Sequence, residues 1–218
     1  MTDGSERTRV RRHPERGVYD RPAIDAILDE AIFCHVGFVA DGQPFVIPAI
    51  HARKEDVLFL HGSPASRMLR ELGSSVEICV TATLLDGVVL ARSVYNHSLN
   101  YRSVVVFGRA RAVEEREEKL RALTAIVEHV LPGRSRDARA PSDQELAGTS
   151  VLALGLEEAS AKMRTGPPKD FDADLDLPVW AGVIPLRVAA GAPETEERVP
   201  AEITVPSYAS AYARRRGA

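Results

Sequence analysis

Cysteine is scarce in this chain: Cys34 and Cys79 are the only two in 218 residues. Two are too few for a disulfide framework, and both read as reduced core residues. Charge of one sign is missing too. With 28 basic against 31 acidic residues the formal net charge is -3, so no broad positive field draws the chain to nucleic acid or to an anionic membrane. No apolar run reaches membrane-spanning length, and the Arg-rich first twenty residues hold no apolar stretch of the secretory kind. A cytoplasmic protein is expected, with no nucleic-acid and no membrane partner. Motifs are missing as well. There is no Gly-x-Gly-x-x-Gly turn, Walker loop or Gly-x-Ser-x-Gly elbow, and no Cys-x-x-Cys or His-x-x-x-His pair. Dinucleotide-fold, P-loop, serine-hydrolase and local metal chemistry are therefore unsupported, and no metal site is expected.

What is present is a succession of short alternating segments. Met1 to Gly17 hold Arg7, Arg9, Arg11, Arg12 and Arg16 with almost no apolar residues, which reads as a solvated basic arm outside the core. Ile24, Ile27, Leu28 and Ala31 then recur at helical spacing behind Asp20 and Pro22. From Ile32 to Ala40 the pattern alternates, with Ile32, Cys34, Val36 and Phe38 on one face, until Asp41-Gly42 supplies a hairpin turn. The partner strand runs from Phe45 to Arg53, and a third, Val57 to His61, enters a helix striped by Ala65, Met68, Leu69 and Leu72 and closed by Gly73. Val76 to Leu85, Val88 to Val94 and Arg102 to Val113 add strands. Val104 to Phe107 are apolar on both faces, which predicts cover from the barrel core on one side and a second subunit on the other.

Leu120, Leu123, Val127 and Val130 mark a further helix, and Ser142 with Glu145 a capping box. A long strand begins near Ser150 and passes Lys162 and Arg164, and Val183-Ile184 follow Trp180. A short terminal helix is predicted near Tyr208 to Arg216. The expected division is a basic arm over 1–17, one domain over 18–190 and a C-terminal extension over 191–218. Many short strands, one early hairpin and few helices predict a mainly β (α+β) fold, an antiparallel barrel with peripheral helices.

The most informative stretch is Phe59-Leu60-His61-Gly62-Ser63-Pro64-Ala65-Ser66-Arg67, where a strand ends and a helix begins. Ser63 reads as an N-cap and Pro64 as a first-turn residue, leaving backbone N–H groups directed at an anion. Ser66 adds a hydroxyl, Arg67 a planar fork that matches phosphate oxygens, and Gly62 room for close approach. His35, His51, His61 and His97 all stand near predicted strands; their spacing suits no metal cluster, but haem ligation needs only one axial donor and a pocket.

His61-Gly62 and Ser66-Arg67 resemble the FMN-phosphate segment of the pyridoxamine 5'-phosphate oxidase-like superfamily. The run Asn100-Tyr101-Arg102-Ser103-Val104-Val105-Val106-Phe107-Gly108 resembles the flavin-touching strand of that superfamily. The likeness is closer still to its flavin-nucleotide-binding, nitroimidazole-reductase-like branch and covers roughly Val18 to Arg187. The resemblance implies an FMN-binding split β-barrel with a Greek-key course, a homodimer with FMN in a cleft between subunits, and a small-molecule reductant or acceptor at the flavin. FAD, deazaflavin and haem rank behind FMN. It places Pro48, Ala49, Ile50 and His51 along the ring, His61, Gly62, Ser66 and Arg67 at the phosphate, Arg102 and Ser103 at the ring's polar atoms, and Trp180 beside the flavin. Two departures stand out: Met68 replaces a second cation, and Ser103 is shorter than the family's usual Gln. The implied activity is an FMN-dependent oxidoreductase acting on a nitroaromatic or quinone type of acceptor; the alternative is a flavin- or haem-binding carrier or sensor that does not turn over.

Overall fold

The computed structural model describes residues 5–72 and 77–212. Ten strands form one continuous antiparallel sheet: β1 (Gly17–Val18), β2 (Phe33–Ala40), β3 (Gln43–Lys54), β4 (Val57–Gly62), β5 (Glu77–Leu90), β6 (Ser98–Arg109), β7 (Arg111–Ala112), β8 (Ser150–Gly155), β9 (Glu158–Arg164) and β10 (Gly182–Pro185). Their order is β1-β9-β6-β5-β2-β3-β4-β8-β7, with β10 paired to β5. Only Ala110 separates β6 from β7. The path therefore leaves on one stretch of a strand and comes back on the next stretch of the same strand, which is how a sheet curls into a split barrel. Gly108 sits at that seam, where a Cβ would stand 2.9 Å from Leu154 Cδ1, so the absent side chain lets β6 and β8 close together.

Helices cap the barrel: α1 (Arg21–Glu30), α2 (Arg67–Leu72), α3 (Arg116–Val130), α4 (Arg134–Asp137), α5 (Asp143–Ala147) and α6 (Ser207–Ser210). Asp20 caps α1, accepting from Ala23 N, and the Ser142–Glu145 capping box closes the start of α5. The hairpin turn takes Asp41 and Gly42 at φ 51° and 74°, the two left-handed residues of a type I′ turn. The core alternates as the sequence predicts: Cys34, Val36, Phe38 and Ala40 of β2 face Val80 and Ala82 of β5 and Val104 and Val106 of β6. A second, smaller cluster sets Ala122 and Ile126 of α3 against Ala52, Phe59 and Val151.

Four expectations change. β5 is one strand of 14 residues, with a bulge between Leu85 and Gly87, where two strands were expected. The strand expected from Ser150 is two strands with different neighbours, β8 beside β4 and β7, and β9 beside β6 and β1. The cover outside Val105 and Phe107 comes from the N-terminal arm: Arg7 lies over the Phe107 ring at 5.1 Å, pairs with Glu77 at 2.8 Å and also reaches Glu158. Thr8 of the arm is itself buried, and Lys162 Nζ donates to Arg12 O at 3.0 Å. So the arm from Ser5 to Arg16 is docked on β6 and β9 where a solvated tail was expected. The expected helix near Tyr208 is α6, one turn long; Gly73, Val76 and residues 213–218 lie outside the described residues.

Candidate functional site

The phosphate stretch folds three residues later than predicted. Ser63 to Ser66 form a turn, with Ser66 N donating to Ser63 O at 2.9 Å and Ala65 N to Ser63 Oγ at 3.2 Å. The helix cap is Ser66, whose Oγ accepts from Leu69 N at 3.2 Å. Its hydroxyl proton remains available to a ligand. Arg67 opens α2 and is exposed, its guanidinium 4.6 Å from the centre of the Phe45 ring. It has no carboxylate partner among the described residues. Gly62 turns toward α2, where a Cβ would meet Leu69 Cδ2 at 3.4 Å; it serves helix packing, and the approach it was expected to leave open to a ligand is filled by Leu69. His61 Nδ1 is enclosed and has no hydrogen-bond partner among the described residues. Burial lowers the pKa of this ring, so it is neutral at pH 7 and not the protonated donor that would best hold a dianion.

The ring strand divides. From Gln43 to Ile50, β3 pairs with β2, and from His51 onward it pairs with β4. At this change of partner the alternation breaks, and His51 and Ala52 are both buried. His51 is 0% exposed. Its Nε2 reaches Leu28 O at 3.0 Å and its ring lies 4.9 Å from that of His129. It faces the interior and is not a ring-lining residue. Ala49 packs inward as well, whereas Pro48 and Ile50 face outward. Pro48, His35, Thr81 and Val105 then share one cross-strand row on the outer face of the barrel.

Arg102 is also committed elsewhere. Its Nε and one terminal nitrogen fork Asp86 at 3.0 and 2.8 Å, and the two terminal nitrogens fork Glu30 at 2.6 and 2.9 Å. The two carboxylates push the guanidinium pKa up. β6 sends Val104 and Val106 into the core, and Arg102 follows the same side, which takes it away from the outer face. Ser103 does face outward: its Oγ donates to Lys162 O at 3.3 Å and it lines a cavity of about 260 Å3 between the arm and the sheet. Trp180 is 66% exposed, at the far end beside β10.

The structure thus joins Ser66 and Arg67 at one turn, leaves His61 on β4 on the face it shares with Phe59, sets Pro48, Ile50 and Ser103 on the outer face, and withdraws Ala49, His51 and Arg102 into the protein. Sequence reading missed the apolar character of that outer face. Val46, Phe33, Ile50, Leu85 and Leu99 are exposed on it, interleaved with the buried positions of the same strands, and the alternation that marks them as outward does not say that they are bare.

The family model for pyridoxamine 5'-phosphate oxidase matches residues 20–163. The chain belongs to the pyridoxamine 5'-phosphate oxidase family. As in this family's flavin-binding split barrels, the fold is a mainly antiparallel sheet with a few helices. Among solved structures, the chain is 39% identical to the flavocytochrome Anf3 from Azotobacter vinelandii, with a TM-score of 0.89 over 94% of this chain and 95% of that one. It is 36% identical to the FAD and heme binding protein from Mycobacterium smegmatis, at a TM-score of 0.85 over 88% of this chain and 95% of that one. A putative 5-nitroimidazole antibiotic resistance protein from Bacteroides thetaiotaomicron VPI-5482 is 26% identical, at a TM-score of 0.57 over 67% of this chain and 85% of that one. No curated protein matches the chain. Among the described residues no helix is long and apolar enough to cross a membrane.

Proposed function

We propose that this member of the family is a flavin-binding redox protein that also carries a haem. The observation behind the reading is that two structures similar to nearly the whole chain, both above a third identical, join a flavin to a haem. Haem, ranked behind FMN on sequence grounds, thereby becomes a second resident group. The donor set fits a flavin phosphate: an exposed guanidinium with no carboxylate partner among the described residues, and a cap hydroxyl with its proton to give. Arg67 and Ser66 would hold the phosphate. The apolar outer face around Pro48 and Ile50 would shield the ring from water, with a second copy of the chain completing the cleft as a homodimer. When bound, a flavin accepts two electrons together and releases them singly, which couples a hydride donor to a one-electron iron centre. The residues named here bind and orient the cofactor.

The purified protein is expected to show a flavin absorption and a Soret band, to release FMN or FAD on denaturation, and to elute as a dimer. Anaerobic bleaching of the flavin by NADH or NADPH supports an oxidoreductase; reduction by dithionite alone supports the carrier. A protein that binds neither FMN, FAD nor haemin on titration refutes the reading. The nitroimidazole-resistance neighbour favours a nitroaromatic as the first acceptor to try.

A further inference from the structure

The haem reading leaves its iron ligand unassigned, and the six histidines are not equivalent. His51 and His129 each place Nε2 on a backbone carbonyl, Leu28 O at 3.0 Å and Ala31 O at 2.7 Å, with their rings against each other, His51 fully buried and His129 half-buried. His61 is half-buried on β4 with its Nδ1 enclosed. His13 lies on the arm among Arg11, Arg12, Pro14 and Glu15, with no apolar surface for a porphyrin. His35 is exposed on the outer face, but no hydrogen bond fixes its ring among the described residues.

His97 differs. It is exposed, in the link between β5 and β6, and its Nδ1 lies 2.9 Å from Ser93 O. A carbonyl only accepts, so Nδ1 carries the proton, and in the neutral ring the lone pair sits on Nε2. An imidazole oriented by a backbone carbonyl through one nitrogen and open at the other is how proteins present a histidine to a metal.

The surroundings match. Cross-strand partners share a face, and β6, β5 and β10 place Leu99, Val88 and Ile184 in one row. His97 closes the turn Val94–Asn96 and enters β6 two residues before Leu99, its backbone already extended at φ -59° and ψ 143°. Gly182 is two residues from Ile184, and a Cβ built on it would stand 2.8 Å from the Trp180 ring, so that indole also lies over this side. Val94 and Tyr95, 91% and 83% exposed, precede His97, and Tyr95 stacks on Phe171 with ring centres 6.4 Å apart. Exposed apolar side chains on the strand that His97 leads into, together with an imidazole oriented through one nitrogen, suit a planar apolar ligand held by one histidine.

We infer that His97 ligates the haem iron through Nε2, with Leu99, Ile184 and Trp180 supporting the porphyrin. The inference rests on the haem reading of the preceding section. The test is haemin titration of the full-length protein and of H97A, H97M and H35A, followed by absorption spectra, flavin content and elution volume. In H97A bound haem falls roughly tenfold or more, flavin content and elution volume stay as in the wild type, and added imidazole restores the wild-type Soret band. H97M keeps haem with a changed spectrum and a higher potential. H35A matches the wild type. A wild-type protein that takes up no haemin overturns the haem reading and the ligand with it. Wild-type haem spectra in H97A, or their loss in H35A alone, overturn the ligand assignment and leave the haem reading standing.

Discussion

Removing Arg102 tests whether this cation serves the fold or the flavin. One of its terminal nitrogens bonds Glu30 Oε1 at 2.9 Å and Asp86 Oδ1 at 2.8 Å, so these two oxygens are no more than roughly 6 Å apart. The Arg102 and Glu30 side chains are largely buried, and Asp86 is more open. With the guanidinium gone, two negative charges at that separation repel by about 3 kcal/mol at an effective dielectric constant near 20. That value lies at the low end of what breaking a buried pair costs, in keeping with the partial exposure of Asp86. Arg102→Ala is therefore expected to lose about 3 kcal/mol of unfolding free energy at pH 7, or roughly 6 to 12 °C in Tm for a domain of this size. Urea unfolding at pH 7 measures it. A loss below about 1 kcal/mol at pH 7 refutes the argument, as does a variant of full stability that no longer binds flavin, since that would return Arg102 to the cofactor.

Arg67→Ala should weaken flavin binding by roughly tenfold or more, about 1.4 kcal/mol, while leaving Tm within about 1 °C, because the side chain is exposed; unchanged binding in a fluorescence titration sinks the phosphate assignment. His61 has a folded pKa below its unfolded value, so its contribution to stability is complete above about pH 6.5 and is lost as pH falls toward the folded pKa. His61→Gln should flatten the wild-type decline in that window, and an unaltered pH profile argues that the ring is not the cause. Gly182→Ala brings a methyl group against the single tryptophan, so its fluorescence should shift with little change in far-UV circular dichroism. Arg7→Ala releases the arm from Glu77, Glu158 and Phe107; faster tryptic cleavage between Arg9 and Arg16 is expected, with the barrel core intact.

Much of the fold was legible wherever one face of a strand is buried and the other is not. The β2 pattern and the Asp41-Gly42 turn placed the first hairpin to within two or three residues. The reading failed where a strand changes partner. His51 follows Ile50 in an alternating run, and nothing local announces that β3 leaves β2 for β4 between them. Arg102 misled for a different reason: its carboxylates, Glu30 and Asp86, are 72 and 16 residues away in the chain, and an ion triad of that span has no local signature. The turn at Ser66 and Arg67 was legible because all its groups come from one short stretch, even though the cap fell on Ser66 instead of Ser63. The docked arm was not, since five arginines in a polar segment read the same whether they face solvent or Glu77, Glu158 and Phe107.

The seam at Ala110 has a mechanical consequence. Because β6 and β7 are one strand, a slip of one residue between any two neighbours in the ring has to be repeated by every other pair before the seam can close again. The ring is held in register as a unit; outside it, among the described residues, lie β9, paired to β6, and the two loose ends β1 and β10. Opening from the native state should begin there, at the segment that carries the arm and the segment that carries Trp180, and hydrogen exchange should run outward-in from those two edges. The barrel keeps its shape while the two flaps that border its outer face come and go.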